Sequence, residues 1–295
     1  MIKRTPTHIR NRFYNTLTEM EQNRSLYVKN PDKDFTRNGT FTFQQTMLFI
    51  TQMQSSSTNH ELHTYFAPLH KNITQSAFCQ AKAKLNSQAF PGLLHSLNQK
   101  FPFRKTKYGL HLFAIDGSDL NVPADKGDRS TLISYNSKNG GYHQMHVNAL
   151  FDLLEKRFVD TVIQPRKEMR EADAACAMVD ANDTPGNCLF IFDRGYESLN
   201  LMAHVCERGS FFLIRAKDVH SQVSPFRLLP LPDREEFDSS VRFVCTRNWK
   251  LKKENPVLYK CFRKKQRFDF IPSDDMSGTY ELSFRLVKVT LDNGT

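Results

Sequence analysis

Cys188-Leu189-Phe190-Ile191-Phe192-Asp193-Arg194-Gly195-Tyr196 and Leu112-Phe113-Ala114-Ile115-Asp116-Gly117-Ser118 decide the fold. Each is an unbroken apolar run that ends on a carboxylate and then meets a glycine turn. Runs of this length read as strands buried on both faces inside an α/β layer. A desolvated lone carboxylate is very costly, so two of them closing two strands of one domain point to a shared cation. Hard oxygen donors on rigid strand ends suit Mg²⁺ or Mn²⁺.

Working outward, Gln144–Leu153 and Arg157–Ile163 read as two more strands, joined across Glu155-Lys156 as a hairpin. Glu171–Val179 is alanine-rich and helical, and Thr184-Pro185-Gly186-Asn187 turns the chain into the strand at 188–193. A helix near 198–208 and a strand Phe211–Arg215 follow. The order is β-β-β-α-β-α-β, which is not the steady alternation of a dinucleotide-binding sheet. A meander followed by right-handed crossovers gives a mixed five-stranded sheet with its first and fourth strands side by side. The expected fold class is α/β, ribonuclease H-like, with a small helical domain before it and a β-rich insertion after it. Asp116 and Asp193 then reach one edge, on strands ~4.8 Å apart.

Charge divides the chain unevenly. The net charge is +10, and residues 1–110 hold 15 Lys+Arg against 5 Asp+Glu, while the remainder holds 26 of each. A basic first third on a neutral α/β domain points to a polyanion, most simply nucleic acid; a solvated basic surface is the plain alternative. Mean hydropathy is −0.53, and no apolar run approaches the ~20 residues of a membrane helix. Met1-Ile2-Lys3-Arg4-Thr5-Pro6 lacks the apolar stretch of a signal peptide. The six cysteines are scattered with no Cys-x-x-Cys pair, which reads as reduced, mostly buried thiols rather than a zinc site.

Residues 1–105 read as a helical, basic, DNA-binding domain. Phe43, Met47, Ile50 and Gln54 follow helical spacing, a short apolar segment runs from Glu61 to Leu69, and Thr74 can cap a helix whose face is Phe78, Ala81 and Leu85. Lys82 and Lys84 lie off that face. Two short helices and a basic one fit a helix-turn-helix-like reader or a plain bundle equally well. Residues 106–218 read as the first part of the core and 219–295 as the insertion. Within the latter, residues 242–267 carry 10 Lys+Arg with Glu254 as the one acid. Val241–Val244, Val257–Phe262, Phe268–Ile271 and Tyr280–Val289 alternate like strands. Lys250, Lys252, Lys253, Arg263, Lys264, Lys265 and Arg267 form a candidate phosphate-contacting face.

The strand-Asp-Gly-Ser of 112–118, the strand-Asp-Arg-Gly-Tyr-Glu-Ser of 188–198 and the spacing between them resemble the DDE transposases of bacterial insertion sequences, the insertion-sequence-four group. The segment from Ser76-Ala77-Phe78 to Ala89-Phe90 is similar to that family's helical DNA-binding region, and Phe284-Arg285-Leu286-Val287 to the close of its insertion. The resemblance implies DNA transposition: binding of double-stranded transposon ends, in bacterial cytoplasm at the nucleoid, by a chain that can pair as a homodimer on DNA. It implies Mg²⁺ or Mn²⁺ ions held by Asp116 and Asp193, and two-metal cleavage and strand transfer. It also implies a third acid, a glutamate in a Tyr-Arg-Glu-Lys signature. Tyr259-Lys260-Cys261-Phe262-Arg263 is followed by no such glutamate, and Tyr280-Glu281 has the wrong order. The expectation is a transposase truncated at its C-terminus and catalytically weak, or alternatively a non-catalytic DNA-binding inhibitor. A host nuclease of the same fold is a third reading.

Other polar residues have plainer readings. Asp119 points away from Asp116 or caps a turn, because i and i+3 of an extended segment face opposite ways. That argument also leaves His143 and His146 as surface or sheet histidines. Arg194 could meet DNA phosphate or pair with a neighbouring acid, and Arg215 and Lys217 could meet DNA phosphate or simply solvent. Glu197 near a helix N-terminus is favourable through the macrodipole alone.

Overall fold

The computed structural model describes residues 5–290 apart from 38, 40, 55, 126, 135–140, 217–223 and 225. Gly140, Lys217, the first four residues and the closing 291–295 thus lie outside the described residues. Two compact units divide the chain, residues 1–103 with 158–160, and residues 104–157 with 161–295.

The first unit is helical: α1 (Pro6–Gln22), α2 (Phe43–Gln52), α3 (Thr58–Phe66), α4 (Gln75–Lys84) and α5 (Ala89–Gln99). Side-chain caps start four of them. Thr5, Thr42, Ser57 and Thr74 accept the otherwise unpaired amides of the first turn, Thr42 within a full capping box with Gln45. Phe41, Phe49, Phe66 and Phe78 pack ring against ring at the centre. The expected stripe of α2 holds at Phe43 and Met47, but Gln54 lies past the helix end. There the Glu61 carboxylate accepts the Gln54 and Ser56 amides, ending the helix. On α4, Phe78 and Ala81 are buried, with Leu85 just beyond, while Lys82 is exposed and Lys84 half-buried.

The second unit is built on a mixed sheet. Its strands are β1 (His111–Val122), β2 (Leu132–Ile133), β3 (Tyr142–Asp152), β4 (Arg157–Pro165), β5 (Cys188–Phe192) and β6 (Phe211–Ile214), with α6 (Glu171–Ala181) and α7 (Leu199–Glu207) in the crossovers. The sheet order is β2-β3-β1-β5-β6, and β4 pairs with β3. The first long strand therefore lies parallel to the strand of the second aspartate motif. Short β2 is a sixth strand beyond the five expected.

One expectation is corrected at Asp116. The strand does not end there. β1 runs on through Gly117 and Ser118 to Val122, because its antiparallel partner β3 continues past the point where β5 stops. Pairing with β5 ends at Ile115, so Asp116 leaves the strand's double-sided burial without leaving the strand.

The insertion holds β7 (Phe237–Thr246), α8 (Trp249–Glu254), β8 (Tyr259–Cys261) and β9 (Thr279–Lys288), in the sheet order β8-β7-β9. Its inner face shares one core with Met202 and Ala203 of α7, through Phe226, Phe243, Phe268, Ile271 and Leu282. Phe268–Ile271, expected as a strand, forms none. Its carbonyls are taken by a side chain instead of a ladder: the buried Arg247 guanidinium donates to Ile271 O at 3.0 Å and Phe268 O at 3.3 Å. The basic helix α8 was not expected; Asn248 caps it on the Lys250 amide.

The cysteines differ from expectation too. All six are free thiols, but only Cys176, Cys188 and Cys245 are buried. Among the described residues, no helix is long and apolar enough to cross a membrane.

Candidate active site

Parallel register brings the two aspartates together. Ile115 pairs with Phe192, so Asp116 and Asp193 are the next residues on neighbouring strands, ~4.8 Å apart in the ladder direction. Phe113, Ile115, Phe190 and Phe192 turn into the core, so by alternation both aspartates issue on the opposite side. Both are exposed. Asp116 Oδ1 accepts the Gly117 amide at 2.8 Å, and Asp193 Oδ1 accepts the Arg194 amide at 2.6 Å, which caps the 3-10 turn Arg194–Tyr196. Each carboxylate thus keeps one oxygen outside these bonds.

A second polar group lies on the other face of the same strand. Gly117 stands opposite Asn148 and Asp119 opposite His146. Asp119 does face away from Asp116, but it caps no turn. It accepts from His146 Nδ1 at 2.6 Å and from Arg166 Nε at 2.9 Å. These two bonds, His146 first, hold its carboxyl below the usual range. His143 and His146 are buried sheet residues; His143 pairs with Thr131. His146 Nε2 comes within 3.2 Å of Glu171 Oε1, yet makes no hydrogen bond. Asn148 is fully buried and accepts the Tyr196 hydroxyl at 3.0 Å, while its Nδ2 has no partner. Burial, and then the fields of Glu171, Asp116 and Asp193, push the Tyr196 phenol up. Glu171 and His146 carry no sequence signature as a site; only the β1–β3 register and the entry of α6 bring them here.

The donor set fits a divalent cation in kind: two exposed, hard carboxylates at the same level of rigid, adjacent strands. As they stand, no group of three or more His, Cys, Asp or Glu side chains among the described residues is arranged to hold a metal ion. Asp116 and Asp193 are turned onto the backbone amides of Gly117 and Arg194, and Glu171 towards His146.

The basic residues separate into two kinds. Arg194, Lys250, Lys253, Arg263, Lys264 and Lys265 are exposed. Lys252 is half-buried over the Trp249 ring at 4.7 Å, and Lys82 and Lys84 lie over Phe78 and Phe35 in the first unit. Arg267 differs. Its guanidinium is engaged by Asp173 at 3.0 Å and Asp269 at 2.9 Å. Asp269 in turn accepts from Asn200 and faces His204 Nε2. That network ties the insertion to α6 and α7.

The transposase DDE domain model matches residues 107–261. No curated protein matches the chain. Among solved structures, the chain is similar to the piggyBac transposase in a synaptic complex with hairpin DNA, with a TM-score of 0.35 and 11% identity over 81% of this chain. The chain spans 50% of that protein's length.

Proposed function

The chain belongs to the transposase DDE domain family, and from that premise we propose that it acts in DNA transposition, by metal-assisted phosphodiester cleavage and strand transfer at transposon ends. The single observation that supports this best is the parallel pairing of β1 with β5, which sets Asp116 beside Asp193. These two carboxylates would hold Mg²⁺ or Mn²⁺. When bound, such ions lower the pKa of an attacking water or 3′-hydroxyl and offset charge on the leaving oxygen. The chain's own part is positional. The β1–β5 ladder fixes the spacing of the two carboxylates, and the 3-10 turn after Asp193 sets its direction.

The motif resemblance supports a reading within the insertion-sequence-four group. Two carboxylates supply two negative charges against the four of two divalent ions, so the aspartates alone hold a second ion weakly. We expect low turnover by this polypeptide. Double-stranded DNA is the proposed partner, contacted by Lys82 and Lys84 of the basic first third, and by Arg194, Lys250, Lys252, Lys253, Arg263, Lys264 and Lys265. Two copies would pair on the DNA.

A cleavage assay on a transposon-end duplex with Mn²⁺ tests this. Asp116→Asn and Asp193→Asn should each remove whatever cleavage the native chain shows, by at least about a hundredfold, while leaving DNA binding intact. Equal cleavage by either variant overturns the assignment. The charge excess of residues 1–110 favours one second reading: a protein that occupies ends without cutting them, and so inhibits transposition. Tight binding with no metal-dependent cleavage would identify that case.

A further inference from the structure

We propose that the helical unit holds a binding site for an organic ammonium ion, the charged end of a polyamine or of a lysine side chain, in the cavity beside Glu61. The cavity measures about 540 Å³ and is lined from α1, α2, α3 and the turn that follows α3. That volume suits a small molecule. Its walls are unlike a surface for DNA phosphate. Residues 1–110 hold 15 Lys+Arg against 5 Asp+Glu, yet no Lys or Arg lines the cavity, and Glu61 is its one acid.

The ordinary account of Glu61 covers half of its carboxylate. Oε1 accepts the Gln54 amide at 3.0 Å and the Ser56 amide at 3.1 Å, and an acid in the first turn of α3 suits the helix N-terminus. Oε2 shares in neither bond. Among the described residues it has no other hydrogen bond and no ion pair, and it is not sealed from solvent. Glu61 as a whole is only 8% exposed. A carboxylate so far withdrawn from water is costly without a cation, and the open oxygen belongs to a residue of the cavity wall.

The remaining walls select the kind of cation. Tyr65 and Phe49 meet edge to face at 5.2 Å, and Tyr14, Leu48 and Leu69 line the same space. Aromatic faces attract ammonium groups, and the aliphatic side chains suit a methylene stem. Burial, and then the nearby Tyr14, raise the Tyr65 phenol above its usual value, so its hydroxyl stays neutral and can accept from an N–H. A bare Mg²⁺ or Ca²⁺ ion fits poorly, because such ions take several oxygen ligands and this wall offers one free carboxylate oxygen.

Calorimetry on the whole chain with putrescine, Nα-acetyl-lysine amide and the uncharged diol of putrescine's length tests the inference, independently of the aspartate pair. Both amines should bind and the diol should not. Tighter binding of putrescine identifies a free polyamine as the occupant, and tighter binding of the lysine derivative a protein side chain. Glu61→Gln keeps an oxygen for the two amides but removes the charge, and should weaken amine binding at least about tenfold. Tyr14→Leu, at a residue already 37% exposed, should weaken it about threefold at an unchanged melting temperature. No binding of either amine overturns the inference, as does equal binding of the diol or native affinity in Glu61→Gln. Should Glu61→Gln melt lower, Tyr14→Leu decides, and native amine affinity in that variant overturns the site.

Discussion

At the scale of the residue, Gly117 joins the two halves of the site. It carries no positive φ among the described backbone exceptions, so its conformation does not require glycine. Space does. A Cβ there would stand 2.5 Å from His146 Nε2, 2.9 Å from its Cε1 and 3.1 Å from Glu171 Oε1. Gly117→Ala must push His146 or Glu171 aside, and overpacking of this kind costs roughly 1–3 kcal/mol. Denaturant unfolding should show a loss of that size. Gly195, whose nearest contact with Glu171 is 3.7 Å, should tolerate alanine with little change in stability. An unchanged unfolding midpoint in Gly117→Ala would show that the cradle is looser than these distances indicate.

At the scale of the element, Arg247 does for the insertion what a strand partner does for a sheet. Buried at 5% exposure, it donates to the carbonyls of Ile271, Arg263, Gln266 and Phe268. Arg247→Met keeps the bulk and strands those acceptors, at a cost of ~3 kcal/mol or more. The expected outcome is a lower melting temperature and early proteolysis within 263–271, and an equally protected loop would refute it. This element also marks what a sequence can say. The strands at 188–192 and 142–152 were legible because apolar runs and alternation report burial locally. Phe268–Ile271 alternates in the same way, but its partner is one guanidinium from another segment, which periodicity cannot reveal. The site divides on the same line. Asp116 and Asp193 each close an apolar run and stand out. His146 and Glu171 look like a sheet histidine and a helix-start acid, and gain their meaning only from the β1–β3 register and the crossover into α6.

At the scale of the whole molecule, the question is where the positive charge can do work. Each unit carries exposed lysines, but their arrangement differs from a simple count of charge. Lys264, Lys265 and Arg267 are all exposed, but Arg267 alone of the three is held by acids, Asp173 and Asp269, in the ion pairs given above. The hydrogen bond to Asp269 is the first of the influences that raise its pKa. On Asp269, burial pushes the carboxyl up, yet the bonds from Arg267, Asn200 and His204 together bring it well below its usual range. That network is a structural tie, and its contribution is lost only as pH falls through the lowered value of Asp269. DNA binding should separate the two roles. In fluorescence anisotropy with a duplex at several salt concentrations, log affinity falls against log salt with a slope of about −0.9 per phosphate neutralised. Lys264→Ala with Lys265→Ala should make that slope shallower by up to ~2, as should Lys82→Ala with Lys84→Ala in the helical unit. Arg267→Ala should leave the slope alone and lower the melting temperature instead, because it frees two acids that hold α6 and the insertion together. A shallower slope in Arg267→Ala at unchanged stability would place that residue on the DNA after all, and its ion pairs would then be the resting partners that phosphate displaces.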